Sequence, residues 1–268
     1  MNMADLVKKS IGYRRKILKY IYGAGAGHTG GSLSCVDILN VLYNKVLNVS
    51  PGNFKSPDRD RYIQSKGHTV EALYVVLADK GFFPEEDLNT LCKYQSHYIG
   101  HPTRKVNGIE QNTGALGHGL PIAVGNAIAA KMDDRKFRVF TLLGDGELAE
   151  GSNWEAALTA SHYKLDNLCA IVDHNKLQIS GTTAEVCNTS PIDSKFESFG
   201  WAVKHVDGHD LQQLEKVFAE IPFEKGKPNL VLAHTVKGKG ISFMENQASW
   251  HHGVPDAKQF ELAMEELK

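Results

Sequence analysis

The feature that most constrains the fold of this chain is a pair of apolar runs, each ending in residues suited to chemistry. Residues 137–143 (Phe-Arg-Val-Phe-Thr-Leu-Leu) read as a strand and stop at Gly144-Asp145-Gly146. Residues 153–163 read as a helix. Residues 168–172 (Leu-Cys-Ala-Ile-Val) form a near-continuous apolar strand, with Asn175 just beyond it. Such a run is buried on both faces, as strands of parallel sheets are. Asp145 and Asn175 stand 30 positions apart, about the length of one strand–helix–strand unit. If the two strands are parallel, both residues emerge at carboxyl ends on one edge of the sheet. That edge is where open α/β sheets take their ligands.

The rest of the chain fits the same class. Leu6, Ile11, Ile17, Leu18 and Ile21 recur at roughly helical spacing over residues 4–23. Helices are expected at 35–46, 70–80, 119–132 and 211–221, and short strands at 61–64, 201–203 and 230–233. The tail, 256–267, reads as a helix with no indicated packing partner. Strands alternating with helices predict a parallel sheet with helices on both faces. No repeat or Pro/Ser-rich linker divides the chain, so residues 1–268 read as one domain.

Composition excludes several classes. Thirty Lys and Arg against 31 Asp and Glu give a net charge of −1, so there is no basic field for nucleic acid. Mean hydropathy is −0.30, and no apolar run approaches a membrane span. The N-terminal segment lacks the compact apolar core and cleavage site of a secretory signal. Cys35, Cys92, Cys169 and Cys187 form no C-x-x-C pair; they read as free buried thiols of a cytoplasmic protein. No zinc-ligand spacing and no G-x-S-x-G elbow occurs. Gly23-Ala24-Gly25-Ala26-Gly27 follows a helical pattern, whereas a dinucleotide fingerprint follows a strand. Thr235-Val236-Lys237-Gly238-Lys239-Gly240 reads as a strand exit, with room for a cofactor or substrate contact.

The Asp145 carboxylate and the Asn175 amide oxygen are hard donors suited to Mg²⁺, which completes its octahedron with water and phosphate oxygens. The flanking glycines let backbone approach a phosphate. The following helix would aim its N-terminal amides at the same place.

Gly144-Asp145-Gly146 with Asn175 one unit later resembles the thiamine diphosphate motif. The run Gly144-Asp145-Gly146-Glu147-Leu148-Ala149-Glu150-Gly151 resembles transketolases in particular. So do Gly27-His28-Thr29-Gly30-Gly31, Ser65-Lys66-Gly67-His68, Gly100-His101-Pro102, Thr113-Gly114-Ala115-Leu116-Gly117 and Trp250-His251-His252-Gly253. The resemblance spans residues 27–255. It implies the thiamine diphosphate-binding fold of the diphosphate domain, with thiamine diphosphate and Mg²⁺ as cofactors. It implies Asp145, Asn175 and the Leu177 carbonyl as metal ligands, and Gly146 against the diphosphate. Gly114 and Leu116 would lie under the aminopyrimidine ring. His28, His68, His101 and His252 would position ketose hydroxyls and move protons, with His68 and His252 also touching cofactor. Imidazole suits this work near neutral pH. The His-Gly pairing favours His252 over His251. Glu150 would link toward the cofactor-activating glutamate of another domain.

Full transketolases also carry pyrimidine-binding and C-terminal domains, for which this sequence offers no counterpart. The resemblance therefore implies the N-terminal subunit of a split transketolase, moving a two-carbon ketol unit between sugar phosphates, as in the pentose phosphate pathway. A separate C-terminal subunit would complete it, in a heterotetramer of two chains of each kind. The rivals are half of another thiamine enzyme (deoxyxylulose-phosphate synthase-like), a non-catalytic cofactor-binding module, and a transketolase for an unusual sugar phosphate.

Overall fold

The computed structural model describes residues 1–268. Its strands are β1 (Arg61–Gln64), β2 (Val139–Gly144), β3 (Leu168–His174), a short ribbon of β4 (Leu177–Gln178) and β5 (Gly181–Thr182), β6 (Ala202–Asp207) and β7 (Asn229–His234). The α-helices are α1 (Met3–Ala24), α2 (Thr29–Val41), α3 (Val70–Asp79), α4 (Gly119–Met132), α5 (Gly151–His162), α6 (Thr183–Val186), α7 (Ile192–Ser198), α8 (Leu211–Ala219) and α9 (Ala257–Glu266).

Five strands form one sheet in the order β1-β2-β3-β7-β6, and every pairing is parallel. Successive side chains of a strand point to opposite faces, and β3 shows the consequence. Cys169 and Ile171 join the core under α1, α2, α3 and α8. Leu168, Ala170 and Val172 join the core under α4, α5 and α7. Both faces are therefore buried, which explains why β3 is apolar without alternation. Register pairs Gly144 with Asp173, and His174 with His234, so three neighbouring strands end together on one edge.

The structure departs from the sequence reading at α2 and α7, and it supplies the packing partner of the tail. Helix α2 begins at Thr29, not near Cys35, and closes in a π-helical turn at Leu42–Val46. Gly30-Gly31 reads as a helix breaker locally, but α2 is buried along its whole length and packing overrides propensity. Helix α7 was not expected; Ile192 and Phe196, one turn apart, hold it against the sheet. The α9 tail packs on α1: Tyr22 stacks on Phe260 at 4.5 Å, and the Arg15 guanidinium donates to the Met264 and Leu267 carbonyls. Of the four free thiols, Cys35 and Cys169 are buried as expected, whereas Cys92 and Cys187 are exposed. No helix is long and apolar enough to cross a membrane.

Candidate active site

Where β2 and β3 end, the chain turns into segments that line a cavity. Asp145 leaves β2 and is only 2% exposed. Its Oδ1 accepts the Gly146 N–H at 2.8 Å, and its Oδ2 accepts the Lys176 N–H at 2.5 Å. Burial first, then Asp173 nearby, pushes its carboxyl up to about 6 against those two donors. Asn175 leaves β3. Its amide nitrogen donates to Asp173 at 3.2 Å, so its oxygen faces away and accepts the Leu177 N–H at 3.1 Å. A second lone pair of that oxygen remains. Asp145, Gly146, Asn175 and Leu177 all line the cavity.

No group of three His, Cys, Asp or Glu side chains is arranged to hold a metal ion. A cation here would rest on one carboxylate, one amide oxygen and a backbone carbonyl. That oxygen set fits Mg²⁺, which keeps water and phosphate in its shell. Two further observations fit a diphosphate. A side chain at Gly146 would stand 2.9 Å from Gln178 Cγ, so bare backbone faces the space. And two buried ammonium groups line the same cavity. Lys66 is paired with Asp173, which also accepts from Ser34 at 2.6 Å and from Thr235. Burial works to raise Asp173, but Lys66 and these donors together hold it below its usual value. Lys237 is 2% exposed and has no carboxylate partner; its Nζ lies 2.9 Å from His251 Nδ1. Burial first, and Lys66 next, pushes Lys237 down to about 8.

The histidines cluster around one ring, with His68 and His251 in the cavity wall. His28 is the hub: its ring lies 5.2 Å from His68, 5.9 Å from His101, 5.5 Å from His251 and 4.5 Å from His252, between centroids. Burial, with neighbouring histidines and lysines adding, pushes His28 down to about 4 and His251 to about 3. His68 and His101 are lowered too, by burial first. These four rings are neutral at pH 7, able to donate and accept. His28 Nδ1 is buried without a partner, as a group reserved for a ligand would be. Gly114 (φ +144°) touches the His101 ring, where a side chain would stand 2.8 Å from Cδ2. Leu116 lines the cavity beside it, its carbonyl 3.1 Å from His118 Nδ1.

Not every expected residue reaches the cavity. His28 and His101 are not among its lining residues; His251 lines it, whereas His252 is exposed and meets the His28 ring edge-on. Glu150 is exposed at the N-cap of α5 and makes no capping bond with its side chain. Besides Asp145, the carboxylate in the cavity wall is Glu147, which accepts from Ser65, from the Gly117 N–H at 3.0 Å and from the Gly144 N–H at 3.0 Å. Sequence reasoning did not single out Lys66, Lys237, Glu147 or His251. Lys66 and Glu147 sat inside quoted motifs, and Lys237 in the glycine-rich strand exit.

The family model for the transketolase thiamine diphosphate-binding domain matches residues 9–266. The chain belongs to the transketolase family. Among transketolase relatives, it is 48% identical to an apulose-4-phosphate transketolase subunit of Phocaeicola vulgatus, covering 100% of this chain and 95% of that one. It is 50% identical to the protein of the same name from Actinobacillus succinogenes, over 98% of this chain and 96% of that one. It is 39% identical to 6-deoxy-6-sulfo-D-fructose transketolase subunit SqwG of a Clostridium species, over 98% and 96%. Campylobacter jejuni transketolase has the same fold, with a TM-score of 0.92 and 31% identity. The match takes in 100% of this chain and 43% of that one.

Proposed function

We propose that the chain is the N-terminal subunit of a split transketolase. With a separate C-terminal subunit it transfers a two-carbon ketol unit from a ketose phosphate to an aldose phosphate. The observation that carries this reading is the end-to-end match to three transketolase subunits, on a chain whose cavity gathers most of the expected constellation. Residues 1–268 then act as one diphosphate-binding domain, and the pyrimidine-binding and C-terminal domains belong to the partner. A heterotetramer of two chains of each kind is the assembly we infer. The four free thiols suit a reducing cytoplasm.

Thiamine diphosphate, when bound, supplies the electron sink that lets the ketose C2–C3 bond break. The chain's own residues prepare for it. Asp145, Asn175 and the Leu177 carbonyl hold Mg²⁺. Lys66 and Lys237 face the diphosphate, with Gly146 backbone against it. Gly114 and Leu116 support the ring, and His68, in the cavity wall, touches the cofactor edge, while His252 lies outside the cavity against the His28 ring. His28, His68, His101 and His252 orient sugar hydroxyls and carry the protons that leave one hydroxyl and return to another. Glu150, exposed beside Gly117, is placed to meet a partner chain.

The relatives named for apulose 4-phosphate and sulfofructose favour an unusual sugar over the pentose phosphate pathway. The test is a tagged pull-down from native cells, assayed for Mg²⁺- and thiamine diphosphate-dependent transfer to ribose 5-phosphate. Donors are apulose 4-phosphate and xylulose 5-phosphate. A co-purifying partner and transfer from either donor support the reading; faster transfer from xylulose 5-phosphate restores the pentose phosphate pathway. Recovery of the chain alone, with no transfer, overturns it.

A further inference from the structure

Glu71 stands in the first turn of α3, 2% exposed, and its carboxylate meets no lysine or arginine. A buried carboxyl without a cation is costly. Its two oxygens are both spent on the start of α2. Oε1 accepts the backbone N–H of His28 at 3.2 Å, and Oε2 accepts the Ser32 hydroxyl at 2.9 Å. His28 is the N-cap of α2 and offers no side-chain cap of its own. The first N–H groups of a helix need outside acceptors, and negative charge suits that end. Glu71 thus caps α2 from a neighbouring helix.

What it holds is the hub of the histidine cluster. Each of His68, His101, His251 and His252 meets the His28 ring. The ring's Nδ1 has no partner within the chain, so the ring is placed by its packing against those four rings and by the anchor of its backbone. We propose that Glu71 is a positioning residue for sugar turnover: by gripping the His28 N–H and Ser32 it sets where the His28 imidazole meets the substrate. This rests on the reading of His28 given under the proposed function. Burial, working against the Ser32 and His28 donors, pushes the Glu71 carboxyl up to about 7; either protonation state keeps an oxygen for the His28 N–H.

The test uses the complex purified with its partner chain. It compares Glu71→Gln, Glu71→Met, His28→Ala and the His28→Ala/Glu71→Met double variant. Glu71→Met fills the space without a strong acceptor. It is expected to lower kcat roughly 10- to 100-fold, the scale of a misplaced reacting group, with cofactor affinity by calorimetry unchanged. Glu71→Gln restores kcat to near the parent value. In the His28→Ala background Glu71→Met adds nothing further, because the two act through one ring. An equal loss from Glu71→Met with and without His28 overturns the positioning role and leaves the reading of His28 standing. Full activity of His28→Ala alone overturns the reading of His28, and the inference with it. If Glu71→Met does not fold, a Glu71→Gln variant that loses kcat as severely as His28→Ala also overturns the inference, since the amide keeps the acceptor.

Discussion

The proposed cofactor site rests on single side chains, and their electrostatics make it testable. Asp145→Ala removes the carboxylate of the proposed cation site and is expected to abolish Mg²⁺-dependent thiamine diphosphate binding; normal calorimetric titration of that variant would refute the assignment. Lys237 meets no carboxylate in the chain, so Lys237→Met removes a charge-assisted contact and raises the cofactor Kd roughly 10- to 100-fold. Protonation gives a third prediction. His28 and His251 are lowered from 6.5 to about 4 and about 3. Below about pH 6.5 the unfolded chain takes up protons that the folded chain refuses, so folding weakens as pH falls toward 4. Asp145 and Glu71, raised to about 6 and about 7, act in the opposite sense. The readout is therefore the difference between parent and His28→Gln in denaturation from pH 7 to pH 4: the variant should lose less stability. Equal losses would show that His28 is not held neutral by its surroundings.

At the scale of elements, β2 and β3 place Asp145 and Asn175 because parallel register brings Gly144 opposite Asp173. Glu147 then ties three segments, accepting from Ser65, Gly117 and Gly144. Glu147→Ala leaves those buried donors unmatched and is expected to cost about 2–4 kcal/mol in denaturant unfolding. A change under about 0.5 kcal/mol would mark the tie as dispensable. Much of this frame was legible beforehand. The strands β2, β3 and β7 announce themselves as apolar runs, β1 reads as a short strand at 61–64, and α4 matches its small-residue pattern residue for residue. The start of α2 was not legible, because its glycines are tolerated only through burial and its cap is supplied by Glu71, 43 positions away. The site shows the same division. Asp145, Asn175 and the histidines stand in contiguous motifs that sequence displays. Lys66, Lys237 and His251 matter through convergence on one cavity, which no local pattern encodes. His252 and Glu150 illustrate the converse: motif register singles them out, and the fold leaves both exposed.

At the scale of the whole molecule, this chain's proposed diphosphate side is set against a pyrimidine side supplied by the partner. Sedimentation of the purified complex should give a mass matching two chains of each kind; a stable one-to-one complex would correct that assembly. The most direct test of the central claim follows the carbon itself. Apulose 4-phosphate and xylulose 5-phosphate, each labelled with carbon-13 at C1 and C2, are offered with ribose 5-phosphate to the complex in the presence of Mg²⁺ and thiamine diphosphate. For at least one donor, both labelled carbons should arrive together at C1 and C2 of the new ketose phosphate, and transfer should cease when either chain is left out. Label released as a one-carbon product, or transfer by the partner without this chain, would contradict the account.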